Sequence, residues 1–244
     1  MSGRSKRIIS VLILLAGTIY WLVVSPESYE TDYEQVDTAE DTVQESLVTD
    51  PNAPLATKVL EKIEIKGRAP KTGYERSQFY SSWPTIDGCS LRQRIIKREM
   101  GDSAVIDEKN NCDVIAGEFD EPYTGKHMTF SQKSDFSSNI QIDHVVALSD
   151  AWQKGAQNKT PEERYAMATD PFNLLAVDSS ANQGKSDGDA ATWLPSNKKF
   201  RCQYVARQIS VKYKYGLWVS QAEHDMFLQV LEKCPNERAT GVEI

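Results

Sequence analysis

Apolar positions along the chain fall into three regimes. Ile8 to Val24 form an apolar run of 17 residues with no charge in it. Residues 25–57 carry scattered apolar side chains with no period. Beyond residue 58 the apolar positions recur at spacings that fix element types. In "SLRQRIIKREMG" (90–101), Leu91, Ile95 and Ile96 share one helical face, Ser90 stands where a cap belongs and Gly101 where a helix ends. "CDVIAGEFDEPYTGKHMTF" predicts two short strands around a turn holding Pro122 and Gly125. Ile140–Leu148 predicts a strand or a strand-to-helix junction, and "SDAWQKG" a short helix closed by Gly155. "TPEERYAMA" predicts a helix with Thr160 as cap, Pro161 at its first position and Glu163 completing a capping box. "NLLAV" predicts a short apolar strand. Two further helices are expected at 201–215 and 220–234, the last opened by a Ser220/Glu223 capping box and carrying a core stripe of Met226, Phe227, Val230 and Leu231. The mixture predicts an α+β fold with little strand.

Charge changes the reading of the two N-terminal regimes. Arg4, Lys6 and Arg7 precede the apolar run, and a basic flank before an apolar stretch is the export pattern. Seventeen residues are long for a cleaved signal and just long enough to span a bilayer, and "VVSPES" is a poor cleavage site. Residues 1–25 are therefore read as a signal peptide or membrane anchor, with the anchor favoured. The formal net charge of −7 argues at first against a nucleic-acid binder. Nine of the 35 acids, however, lie between Glu27 and Asp50, with no base among them. Leaving these out, with the three N-terminal bases, gives 26 acids and 25 bases for the rest of the chain. The acidity belongs to a linker, 26–57, expected to be disordered. The domain, 58–244, is nearly neutral.

Four cysteines, Cys89, Cys112, Cys202 and Cys234, in an exported chain predict two disulfides. Three pairings are possible. Cys89–Cys112 and Cys202–Cys234 are favoured because each joins neighbours in sequence. Zinc is disfavoured, since no closely spaced Cys/His cluster exists.

The chemistry-bearing stretch is "IQIDHVVALSD" (140–150), which places one of three histidines directly after a carboxylate. "DPFNLLAVDSSANQGKSDGD" (170–189) follows, with Asn173, Asn182, Lys185 and Asp187. Metal-dependent phosphodiester hydrolysis needs a base for water, and neutral imidazole suits that near pH 7. It needs a divalent cation on the phosphate, held by hard oxygen ligands that leave positions open. His144 is such a base, and Asp143 and Asn182 are such ligands. Neighbours on a regular strand face opposite ways, so both serve one site only if a bend turns them inward.

"IDHVVALSDAW", "NLLAVDSSANQGKSD" and "WLP" resemble the HNH (His-Me finger, ββα-metal) nucleases. The likeness is to the DUF1524 branch, related to the C-terminal part of GmrSD restriction enzymes and found in exported proteins. The HNH domain of RNA-guided nucleases is similar: Asp-His-Ile-Val, then Asn-x-x-Leu, then Asn-x-Gly-Lys-Ser-Asp. "RxxxxKR", "PYTG" and "FRCQYV" between the cysteines also look like the exported branch. The resemblance spans about 89–234 and implies an α+β fold with a ββα-metal core, flanking helices and the two disulfides. It implies that His144 is the general base, that Asp143 and Asn182 bind Mg²⁺ or Mn²⁺, and that Asn173 orients the His-bearing loop. It implies a phosphate contact for Lys185, and products with 5′-phosphate and 3′-hydroxyl ends. Lys198, Lys199 and Arg201 read either as a solvated face or as a backbone contact. The expected partner is nucleic acid, DNA or RNA, with little sequence preference because no recognition domain is present. A membrane contact follows if the N-terminal segment stays, and no protein partner is implied. The alternative is a non-catalytic, membrane-anchored nucleic-acid-binding or adaptor module on the same fold. The expected location is periplasmic or extracellular.

Overall fold

The computed structural model describes residues 50–131 and 139–244. The expected N-terminal targeting segment and all but the end of the acidic linker lie outside the described residues. In chain order the elements are α1 (Ala56–Leu60), β1 (Thr85–Ile86), β2 (Cys89–Ser90), α2 (Leu91–Met100), β3 (Val105–Ile106), β4 (Val114–Asp120), β5 (His127–Ser131), β6 (Ile140–His144), α3 (Leu148–Gln153), α4 (Pro161–Thr169), β7 (Leu174–Asp178), α5 (Ser179–Lys185), α6 (Arg201–Lys214) and α7 (Gln221–Leu231). The fold is α+β, with short antiparallel sheets: β1 with β2, β3–β4–β5, and β6 with β7. Among the described residues no helix is long and apolar enough to cross a membrane.

The β6–β7 pair is the centre of the molecule, and its pleat explains why. Antiparallel pairing runs from Ile140 opposite Asp178 to His144 opposite Leu174. Alternate residues of a strand face opposite ways. Leu175 and Val177 pack with α1, α6 and α7, alongside Tyr204, Ile209 and Phe227. Leu174, Ala176, Ile140 and Ile142 pack on the other face, with α2 and the β4–β5 hairpin. Both faces of β7 are buried, which is why it reads as an uninterrupted apolar run. A third cluster joins α3, α4 and the segment around Phe79 through Val146, Trp152 and Met167.

Local chemistry sets the helix ends. Thr160 and Glu163 form the expected capping box, with Thr160 Oγ1 accepting from Glu163 N and Glu163 accepting from Thr160 N at 2.7 Å. Gly101 ends α2 at φ 53°, a backbone region that glycine enters freely. The box expected on α7 is only half made. Ser220 caps Glu223 N, but the Glu223 carboxylate turns inward to Lys154 and Lys212. Residues ahead of 58 also pack. Ala53 and Ala56 are buried, Ala56 N donates to Glu237 O at 2.9 Å, and the expected linker boundary at 57 falls inside α1. The reason is that the Ala56, Val59 and Leu60 face completes the core over α6 and α7.

The disulfides are Cys89–Cys112, tying β2 to the entry of β4, and Cys202–Cys234, tying the start of α6 to the residues after α7. The Cys202–Cys234 link closes a loop of 32 residues. Replacing both cysteines by serine is expected to cost about 4 kcal/mol by the chain-entropy argument. Urea unfolding of the two forms checks it. A midpoint unchanged by the replacement would mean that α1 and the core hold these helices alone.

Candidate active site

β6 and α5 build the site by two periodicities that meet. On β6, Gln141 and Asp143 share a face by the strand period of two. On α5, Asn182 and Lys185 share a face by the helical spacing of three. Asp178 starts that helix by accepting from Ala181 N at 2.8 Å. Asn182 Nδ2 donates to Gln141 Oε1 at 2.8 Å, and Lys185 Nζ reaches the Asp143 carboxylate at 2.9 Å. His144 faces the other way, toward Tyr80, Trp83 and the carbonyl of Ala168. Both residues line one cleft without a bend in the strand. The pairing stays regular to the end of β6, and a cleft of about 320 Å³ runs along the strand, lined by Gln141, Asp143, His144, Asn182, Ser149 and Asp187 among others.

His144 has a fixed tautomer. Its Nε2 lies 2.9 Å from the Ala168 carbonyl, which can only accept, so Nε2 carries the hydrogen. Nδ1 keeps its lone pair and makes no hydrogen bond among the described residues. The ring is buried, stacked on Trp83 with centroids 6.0 Å apart and planes 8° apart, with Tyr80 at 5.8 Å. Burial in this aromatic slot pulls its pKa down to about 3, with the charge of Arg76 adding and the Ala168 carbonyl opposing. The imidazole is a neutral acceptor throughout the physiological range.

The Asp143 carboxylate is 6% exposed. Burial pushes its pKa up, and Lys185 and Tyr123 pull it back. Tyr123 Oη donates to Oδ2 at 2.5 Å, and Lys185 Nζ lies 3.0 Å from Oδ1 and 2.9 Å from Oδ2. A carboxylate has about four lone-pair sites; these contacts take three, and the backbone N–H of His144 also bonds to the carboxylate. The Asn182 side-chain oxygen, Oδ1, has no partner among the described residues, while its backbone carbonyl accepts from Ser186 N at 2.9 Å. One carboxylate oxygen and one amide oxygen beside a cleft fit a hard cation that keeps most of its shell for water and phosphate. Among the described residues the acid and thiol cluster closest in geometry to a metal site is Cys202, Cys234 and Glu237, but those thiols are joined as a disulfide.

Asn173 is buried and ties the His-bearing loop on both sides. Its Oδ1 accepts from Val146 N at 2.9 Å, its Nδ2 donates to Met167 O at 3.2 Å, and its own carbonyl accepts from Val145 N at 2.8 Å. Two residues expected at a phosphate have other partners in the fold. Lys185, expected at a phosphate, is 2% exposed and spends its protons on Asp143 and on the His144 carbonyl at 2.8 Å. Its position on the inner face of α5, over a buried carboxylate, decides this. Arg201 opens α6, donates to the Pro195 carbonyl at 2.7 Å and does not line the cleft. Sequence reasoning missed Gln141, Tyr123, Tyr80, Trp83 and Arg76. Gln141 shares the strand period of Asp143 and could have been found that way. The others come from segments far away in the chain, and no local spacing marks them.

The α+β fold places β6, β7 and α5 around one cleft, with Asp143 and His144 among its lining residues. The family of GmrSD restriction endonucleases, C-terminal domain, matches residues 91–230, and the chain belongs to that family. A protein described as an uncharacterized secreted protein from Arthroderma benhamiae is 33% identical over 187 residues, covering 75% of this chain and 87% of the relative. No solved structure matches the chain.

Proposed function

We propose that the protein is an exported, disulfide-stapled, metal-dependent HNH endonuclease that hydrolyses phosphodiester bonds in DNA, and in RNA, with little sequence preference. The observation that carries this reading is the fixed tautomer of His144. A buried imidazole with Nε2 tied to a carbonyl and Nδ1 without a partner among the described residues, on a residue that lines the same cleft as Asp143 and Asn182, suits proton abstraction from water. In this reading His144 Nδ1 takes a proton from water, the water oxygen attacks phosphorus from the side opposite the leaving oxygen, and the 3′ oxygen leaves. The 3′ oxygen picks up a proton from solvent, giving 3′-hydroxyl and 5′-phosphate ends. Mg²⁺, or Mn²⁺, held by Asp143 and Asn182 would supply Lewis-acid stabilisation of the charge that builds on the phosphate and leaving oxygen. Asn173 holds the loop that aims His144 and takes no part in bond making. The secreted relative and the disulfides support export.

The test uses the full chain, made under disulfide-forming conditions and incubated with supercoiled plasmid or with RNA. Cutting with Mg²⁺ or Mn²⁺ that stops with EDTA is the expected result. A folded, disulfide-bonded chain that binds nucleic acid and cuts none with either metal would make it the non-catalytic module instead. That outcome would fit the hold that Lys185 has on Asp143.

A further inference from the structure

One wall of the cleft comes from residues 66–83, ahead of the stretch that matches the family. This wall is fastened, not draped. Ala69 N donates to Gln153 O at 2.8 Å, Trp152 Nε1 donates to Thr72 O at 3.3 Å, and Arg164 Nε donates to Gln78 O at 2.9 Å. Phe79 is buried beside Trp152, and Arg68 pairs with Asp150 and Asp189. Between these anchors Arg76 opens a 3-10 turn, exposed and lining the cleft.

Three cations come close to the cleft chemistry, and two are already committed. Lys185 is buried on Asp143. Lys71 Nζ is bonded to Asp187 Oδ2 at 3.0 Å. Arg76 has no carboxylate partner among the described residues. Its guanidinium donates to Tyr80 Oη and lies 5.2 Å over the Tyr80 ring, the same ring that flanks His144. An arginine braced on an aromatic face, with donors left over, is preorganised for two-pronged contact with a phosphate.

From this geometry, and resting on the phosphodiester reading above, we infer that Arg76 is the phosphate-binding residue of the cleft, holding the substrate phosphodiester beside His144. The sequence pointed to Lys185 and Arg201 for that role. The structure turns one inward and leaves the other out of the cleft, and the wall supplies the missing cation. Arg76 lies ahead of the family match, so this contact belongs to the added segment and not to the ββα unit.

The test measures binding of a short DNA duplex to the full chain in EDTA, where nothing is cut, across a salt series. Arg76→Ala, Arg76→Lys and the control Lys233→Ala, on an exposed residue after α7, are compared with the wild type. Arg76→Ala is expected to weaken binding about tenfold to a hundredfold, the range for a charged hydrogen-bonded contact, and to lower the slope of log affinity against log salt by about one. Arg76→Lys should recover the slope but not all of the affinity, and Lys233→Ala should match the wild type. Equal affinity and slope for Arg76→Ala and wild type would overturn the inference, as would a wild-type chain that binds no duplex. Because binding is read without cleavage, the nuclease reading can fail separately. A chain that shows the Arg76 effect yet cuts nothing with Mg²⁺ or Mn²⁺ keeps the phosphate contact and loses the hydrolysis.

Discussion

Replacing His144 by alanine is expected to lower the rate of plasmid cutting by about 10²- to 10⁴-fold, the usual worth of a positioned general base. The loss should fall on kcat, with affinity for uncut DNA and its salt slope unchanged, because a neutral, buried imidazole brings no charge to a phosphate. The variant will also be less stable. It empties a slot between Trp83 and Tyr80 and leaves the Ala168 carbonyl without its donor. An unmet buried acceptor costs about 1–3 kcal/mol. A second variant, Asn173→Ala, separates the two causes. Asn173 also holds buried backbone groups of this loop, so it costs stability too, but it leaves the base in place. Its cutting should fall less than that of His144→Ala, measured at a temperature where both variants are folded. Activity of His144→Ala within tenfold of the wild type would remove His144 as the base.

The order Asp143, His144, Asn173, Asn182 was legible in the sequence through its resemblance to the HNH pattern, which spacing alone does not supply. Once the fold sets α5 on β6, a strand period and a helix period put Gln141, Asp143, Asn182 and Lys185 on facing surfaces. What the order could not give was the sign of each role. Lys185 sits in the right motif at the right spacing, yet whether its ammonium meets a phosphate or a neighbouring carboxylate depends on which face of α5 packs on β6. Arg201 lies in a basic run, and a basic run carries no information about which cleft it borders. Tyr123, Tyr80, Trp83 and Arg76 reach the site through tertiary packing, and Tyr123 lies 20 residues from the acid it bonds.

The fold was legible where apolar period and end signals agreed. α2, the β4–β5 hairpin and α4 match their expected segments closely, and α4 carries its capping box. α5 was not foreseen. "SSANQGK" has no apolar stripe, so nothing marks a helix except Asp178 as cap, and packing against β6 and β7 holds it. α1 was lost for a similar reason. Its five residues sit at the end of an acidic stretch, and only the core formed with α6 and α7 explains them. Glu223 shows the competition directly. Its spacing from Ser220 suits a capping box, but two buried lysines offer its carboxylate a stronger, water-free pairing than a backbone N–H does.

Those lysines carry the largest expected effect on stability. Lys154 is fully buried and meets Asp150 at 2.8 Å, Asp189 at 2.7 Å and Glu223 at 2.6 Å. Lys212 joins Asp150 and Glu223, and the partly exposed Arg68 joins Asp150 and Asp189, so two buried lysines and one rim arginine face three buried carboxylates. The cluster ties α3, α6, α7, the loop after α5 and the added N-terminal wall together, directly behind Ser149 and Asp187 of the cleft. Lys154→Met keeps most of the side-chain volume and removes one cation. It leaves three carboxylates with two partners, and breaking a buried pair this way costs about 3–5 kcal/mol at pH 7. The sign with pH follows from the carboxylates. Asp150 and Asp189 are held below their ordinary range by the lysines and Arg68, against the opposing effect of burial. Their contribution is fully present above the unfolded pKa of about 3.9, begins to fall there and is lost as pH falls through the depressed folded values. In Lys154→Met the carboxylates take up protons more readily, which relieves the uncompensated charge. The gap between wild type and variant should therefore be widest at pH 7 and narrow below about pH 4. Urea unfolding at pH 7 and at pH 3.5 measures both. A gap of the same size at the two pH values would mean that Lys154 stabilises through the packing of its methylenes and not through its charge.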